Sequence, residues 1–149
     1  MPSGPKSVSV DASVLIAAAS PREAGHLDAK TFLTEAHSKR AVLDVPIQFL
    51  FEVFAAFRRS PRDVAQLSFM ADPMNMNLRT MTVDDSQEFV AWLAAAFPGQ
   101  VPTRGGDLMY VWVAWKFKVP LVSLDVGMQQ YSAAGLTVLG PKGALSLLQ

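Results

Sequence analysis

Four acidic side chains stand apart from all other charge in this sequence. Asp11 is the only charged residue from position 8 to position 19, within "VSVDASVLIAAA". Glu52 is alone in "IQFLFEVFAAF" (47–57), Asp107 heads "DLMYVWVAW" (107–115), and Asp125 is alone in "VPLVSLDVGM" (119–128). A carboxylate in apolar surroundings is costly unless hydrogen bonds or a cation balance it. Brought together, four of them would repel and raise one another's pKa. Mg2+ or Mn2+ resolves that conflict, because a hard divalent ion takes carboxylate oxygens and neutralises the cluster. An all-carboxylate site suits phosphoryl chemistry, in which the ion orients water and offsets charge on phosphate oxygens. Zinc does not suit: there is no cysteine, and His26 and His37 fall on one helix away from the strand-end acids.

Each acid also has a plainer reading. Asp11 and Asp125 each fall between a strand and a helix, where an aspartate N-cap contributes ~1 kcal/mol. Asp107 lies in the first turn of a helix and complements its dipole. Glu52 stands mid-helix among Phe49, Phe51, Val53 and Phe54 and cannot cap anything. It must be neutral, paired with a cation, facing a polar cavity, or simply turned to solvent. Glu52 is therefore the discriminating residue.

The elements that must position these groups follow from hydrophobic period and turn residues. Residues 7–10 read as a strand and 12–19 as a helix ended by "SPREAG". A helix over 26–40 places Leu27, Phe32, Leu33 and Ala36 on roughly one face, and 41–45 read as a second strand. Pro46 is expected to open a helix to about residue 59, with another over 61–71. A third strand is expected over 77–83, then a helix over 84–97 with acids capping its start. "PGQVPTRGG" is a loop, followed by a long apolar helix over 107–118, a strand over 120–124, a short helix over 126–135 and a fifth strand over 136–139. Strands alternating with helices, and apolar throughout, imply a parallel sheet covered on both faces. The domain is expected to span 7–149 behind a disordered tail, 1–6. Sites in such sheets lie at the carboxyl ends of the strands, where Asp11 and Asp125 fall. Asp44 ends a strand in the same way but reads as a helix cap or loop acid. The Met-rich stretch 70–81 suits gap-filling core or a partner-facing surface better than a metal box.

Composition bounds the rest. Thirteen basic residues balance thirteen acidic ones over 149 positions, which excludes a nucleic-acid binder that relies on a large positive field. Half the residues are hydrophobic and 17% are charged, so the chain has much to bury, including a surface for a partner or a second copy. No apolar run approaches the ~20 residues of a membrane span. "MPSGPKS" lacks the layout of a secretion signal, and the cytoplasm is the default location.

"VSVDASVLI", Pro46 six residues before Glu52-Val53, and "GGDLMYVWVAWKFKVPLVSLD" together resemble the PIN-domain ribonucleases. The nearest likeness in size is to the VapC-like toxin of VapBC toxin–antitoxin pairs, and it runs from about residue 8 to 139. The resemblance implies a Rossmann-like PIN fold, three layers α/β/α around a five-stranded parallel sheet. It implies a pocket that binds Mg2+ or Mn2+ and cleaves single-stranded RNA. Asp11, Glu52, Asp107 and Asp125 match the family's acids by motif position. Ser13 and Ser123 fall where hydroxyl residues orient carboxylates, although ordinary turn and cap bonds explain them equally. Many relatives carry a further aspartate after the last acid and an aromatic beyond it, where this chain has Val126, Gly127 and Met128. A second metal position is accordingly in question.

The activity expected is metal-dependent hydrolysis of an RNA phosphodiester by in-line attack of water, leaving a 5′-phosphate and a 3′-hydroxyl. Arg104, three residues before Asp107, is the best-placed cation for the RNA backbone, with Arg22, Lys116 and Lys118 as further candidates and "RRSPR" (58–62) as another patch. The resemblance also implies a homodimer and a cognate antitoxin, for whose helix the 49–57 segment could offer a groove, although core packing accounts for most of the same residues. A competing reading is a non-catalytic PIN-like module that binds RNA or protein. A receiver-like phospho-acceptor domain ranks low, because "VSVDAS" and "PLVSLD" lack the paired acid and the late lysine it needs.

Overall fold

The computed structural model describes residues 6–59 and 75–149. β1 (Ser7–Val10), β2 (Val42–Pro46), β3 (Met76–Arg79), β4 (Leu121–Val122) and β5 (Val138–Leu139) form one parallel sheet in the order β3-β2-β1-β4-β5. The chain starts at mid-sheet, builds outward to β3, then crosses back to add β4 and β5. Because crossovers between parallel strands are right-handed, that reversal places the early helices and the β3–β4 connection on opposite faces. The expected three-layer α/β arrangement is what forms. The reversal puts the switch in strand order between β1 and β4, and sites in open parallel sheets lie beyond the carboxyl ends of the strands at such a point.

α1 (Ala12–Ala19) is short and almost wholly buried, with Asp11 as its N-cap. It stops at Ser20 because the next residue is proline, which disfavours helical backbone before it. Gly25, at φ 81°, then turns the chain into α2 (His26–Ser38); a Cβ there would meet Leu124 Cδ2 at 2.8 Å, so α2 begins hard against the segment after β4. α4 (Val83–Ala96) opens on a capping box between Thr82 and Asp85, in line with the acidic start expected for it. α5 (Leu108–Phe117) packs across β2, β1 and β4 and buries Tyr110, Val111, Trp112, Val113 and Ala114 in succession. A helix apolar on every side belongs at the centre of the core. Phe89, Trp92 and Trp115 stack to lock α4 onto it.

The structure departs from the sequence pattern at several places. Pro46 closes β2 opposite Arg79 instead of opening a helix, and α3 (Gln48–Arg59) begins two residues later. β1 pairs β2 only at Ser7 and Val8, so the amide that proline lacks falls beyond the paired run and costs the ladder nothing. Within α3 Phe49 and Val53 are buried and Phe57 packs against the core, whereas Leu50, Phe51 and Phe54 are exposed, the last two at 67% and 65%, so core packing accounts for one side of this helix's apolar residues and not the other. Lys6, assigned to the tail, is tied in through its carbonyl, which accepts from the Val42 amide at 2.8 Å. The helix expected over 61–71, most of the tail, and parts of the Met-rich and "RRSPR" stretches lie outside the described residues. A closing α6 (Pro141–Ala144) and a 3-10 turn (Leu145–Leu148) follow β5 without having been anticipated.

Asp44 is neither a cap nor a loop acid. It sits inside β2, 3% exposed, and its Oδ1 receives Nε and Nη2 of Arg79 at 2.8 and 2.7 Å. The Arg79 guanidinium lies 3.9 Å from the centre of the Phe117 ring, which links the edge strand to α5. Removing the cation would leave Asp44 buried without its counter-charge. Arg79→Leu is expected to cost about 2 kcal/mol in urea unfolding, below the usual range for a buried pair because the arginine is partly exposed.

Candidate active site

Asp11 leaves the end of β1 with its carboxylate turned into the fold, 6% exposed. Its Oδ1 accepts from the Ser13 amide at 3.2 Å and its Oδ2 from the Ser123 hydroxyl at 2.8 Å. Burial drives its pKa up, the bonds from Ser123 and Ser13 draw it part of the way back, and the charge of Asp125 pushes it up again. Ser123 Oγ in turn accepts from the Asp125 amide at 3.0 Å, so one serine joins the strand-end acids of β1 and β4. Ser13 Oγ accepts from the Leu124 amide at 3.5 Å across the same junction. Asp125 caps the 3-10 helix Val126–Ala134 by accepting from the Gly127 amide at 2.8 Å. Capping therefore holds for Asp11 and Asp125, and in both it fixes the carboxylate at the strand end.

Asp107 behaves differently. It begins α5, yet no hydrogen bond from its side chain caps that helix. Its pKa is raised by burial first, and then by the charges of Asp11, Asp125 and Glu52, against a smaller lowering from Arg104. Every one of the other three isolated acids thus acts on Asp107. Glu52, the residue that could have pointed to solvent, is half-buried and held inward: its Oε2 accepts from the Tyr110 hydroxyl at 2.9 Å and its Oε1 from Gln48 Nε2 at 3.2 Å. Segments far apart in sequence bring the four acids within electrostatic range over one end of the sheet.

The basic residues divide. Arg104 is exposed and near enough to Asp107 to act on its charge. Arg22 is exposed in the loop between α1 and α2, and none of the described contacts links it to the acids. Lys116 is engaged elsewhere: it sits in the last turn of α5, with Asp85 at 3.3 Å and Glu88 at 3.5 Å on α4. Nine residues of helix, or about 13 Å, separate it from Asp107. Lys118 ends α5 at φ 53° and lines a cleft with Trp92 and Trp115, beside the entry to β4.

Four carboxylates without thiolate or imidazole form a hard-oxygen donor set, which fits Mg2+ or Mn2+. Among the described residues no three of them stand close enough to share one ion. Asp107, whose side chain makes no capping bond, is the carboxylate free to turn toward an ion, while Glu52 is already held by Tyr110 and Gln48. Sequence reasoning counted charges and so passed over Tyr110 and Gln48. The available signal was polarity, since each is an uncharged hydrogen-bonding residue inside an otherwise apolar run.

Comparison with protein-family models finds none that matches, and no curated protein matches either. The structure is similar to that of VapC20 of Mycobacterium tuberculosis, described as a sarcin-ricin loop cleaving toxin. The TM-score is 0.61 at 22% sequence identity, with 87% of this chain and 96% of that one covered. The two share an α/β fold, here built on a five-stranded parallel sheet. Among the described residues no helix is long and apolar enough to cross a membrane.

Proposed function

We propose that this protein is a Mg2+- or Mn2+-dependent endoribonuclease that hydrolyses phosphodiester bonds of single-stranded RNA, the toxin of a toxin–antitoxin pair. The observation that carries the reading is that Ser123 joins Asp11 to Asp125 at the strand ends and Tyr110 holds Glu52 inward, with Asp107 in electrostatic range of all three. The choice of RNA rests on the VapC-like fold and on the substrate in VapC20's description.

Asp11, Glu52, Asp107 and Asp125 would hold the cation. When bound, it would supply Lewis acidity toward the phosphate oxygens and toward water. Ser123 keeps Asp11 and the Asp125 backbone in fixed relation, and Ser13 holds the other oxygen of Asp11. The exposed Arg104 would take a backbone phosphate at the entrance. Water attacks in line with the leaving 3′ oxygen, the P–O3′ bond breaks, and the products are a 5′-phosphate and a 3′-hydroxyl. Partner binding would use α3, whose Leu50, Phe51 and Phe54, with Ile47 just before the helix, form an exposed stripe at helical spacing. An antitoxin helix seated there, or a second copy of the chain, would cover it.

The test is cleavage of labelled single-stranded RNA. Mn2+ or Mg2+ is expected to support cleavage, EDTA to stop it, and Glu52→Gln to abolish it. RNA bound but left intact under every metal condition would assign the fold to a non-catalytic binding module instead.

A further inference from the structure

Two uncharged donors secure Glu52, and among the described residues no cation pairs with it. Tyr110 belongs to α5, one turn beyond Asp107, and is fully buried, so its ring cannot follow a moving partner. Its hydroxyl donates to Glu52 Oε2, lies within range of the Asp11 charge, and is approached by the Ala12 amide. Gln48 lies one helical turn before Glu52 and shares its Nε2 between Glu52 and the carbonyl of Gly106, the residue before Asp107. The two donors thus tie the acid of α3 to the start of α5. Repulsion from the Asp107 carboxylate would drive the glutamate outward into water, and its three rotatable bonds would let it go.

We infer that Tyr110, assisted by Gln48, is a positioning residue for cation binding, holding the Glu52 carboxylate at the acid cluster before the ion arrives. The inference rests on reading the cluster as a divalent-cation site. Tyr110→Phe keeps the ring and deletes one donor, so it separates the hydrogen bond from core packing.

The experiment is calorimetric titration of Mn2+ into wild type, Tyr110→Phe, Glu52→Gln and the double variant, paired with RNA cleavage across Mn2+ concentrations. Loss of one hydrogen bond to a charged ligand is expected to weaken Mn2+ binding roughly tenfold. In the Glu52→Gln background the tyrosine substitution should add nothing. Cleavage by Tyr110→Phe should need more Mn2+ yet reach the wild-type rate, within about twofold, at saturation. Unchanged Mn2+ affinity in Tyr110→Phe, or an equal loss in both backgrounds, overturns the inference and leaves the metal-site reading standing. Wild-type protein that takes up no Mn2+ overturns both, and is told apart by its failure before any substitution is made.

Discussion

Asp11→Asn is expected to abolish metal-dependent RNA cleavage while leaving the protein folded and no less stable. Asp11 is the most enclosed of the four acids, bonded on both oxygens and set at the junction of β1 and α1. Asparagine keeps the size and one acceptor oxygen but removes the charge. If the lost Lewis-acid stabilisation is several kcal/mol, the rate falls about a thousandfold or more. Stability should move the other way. The Asp11 carboxyl has a raised pKa in the fold, chiefly from burial, so its charged form is disfavoured there. The amide escapes that burden and can still receive the Ser13 amide. Cleavage assays with urea unfolding of the same preparations check both halves. A variant that cleaves RNA at the wild-type rate would remove Asp11 from the site.

The same electrostatics give the second large effect, a dependence of metal-free stability on pH that a cation cancels. Asp11 and Asp107 both have pKa values raised above the ordinary 3.8 by burial and by neighbouring acids. A carboxyl with a raised folded pKa stabilises the fold while protonated. That contribution is whole below the unfolded pKa and is lost as pH rises through the folded value. Without metal, these two groups make the fold weaker near neutrality than in mild acid. Asp85 runs the opposite way, since bonds from Thr82 lower its pKa, but it lies away from the cluster and cancels when samples with and without metal are compared at one pH. At about a hundredfold excess over its Kd, Mn2+ should raise Tm by about 5–10 °C near pH 7.5 and by much less near pH 4.5. Asp11→Asn should lose most of the gain. Thermal melts with Mn2+ and with EDTA at the two pH values measure it; an equal gain at both would place the ion elsewhere.

Much of this was readable locally. β1 with α1, α4 with its capping box, and α5 are each announced by apolar runs bounded by a cap or a proline, and the four acids by their isolation in such runs. What could not be read depends on partners distant in the chain. Asp44 meets Arg79 across two strands, 35 residues away, so a strand-end acid that looked like a cap is half of a buried ion pair. Lys116 sits close to Asp107 in sequence, yet α4 captures it. The apolar residues of α3 resembled core because composition does not tell which face a neighbour covers; Phe49, Val53 and Phe57 turn to the core while Leu50, Phe51 and Phe54 do not. Tyr110 and Gln48 acquire their roles from Glu52, to which Tyr110 comes only when α3 and α5 meet over the strand ends.

The most direct measurement is a crystal of the protein soaked in Mn2+, with anomalous difference density collected near the metal edge. One peak is expected among Asp11, Glu52, Asp107 and Asp125, at roughly 2.2 Å from oxygens of at least two of them, with the Glu52 side chain turned toward it. A well-diffracting soak that leaves the space between these four carboxylates without a peak would contradict the account, as would an ion bound only at other residues.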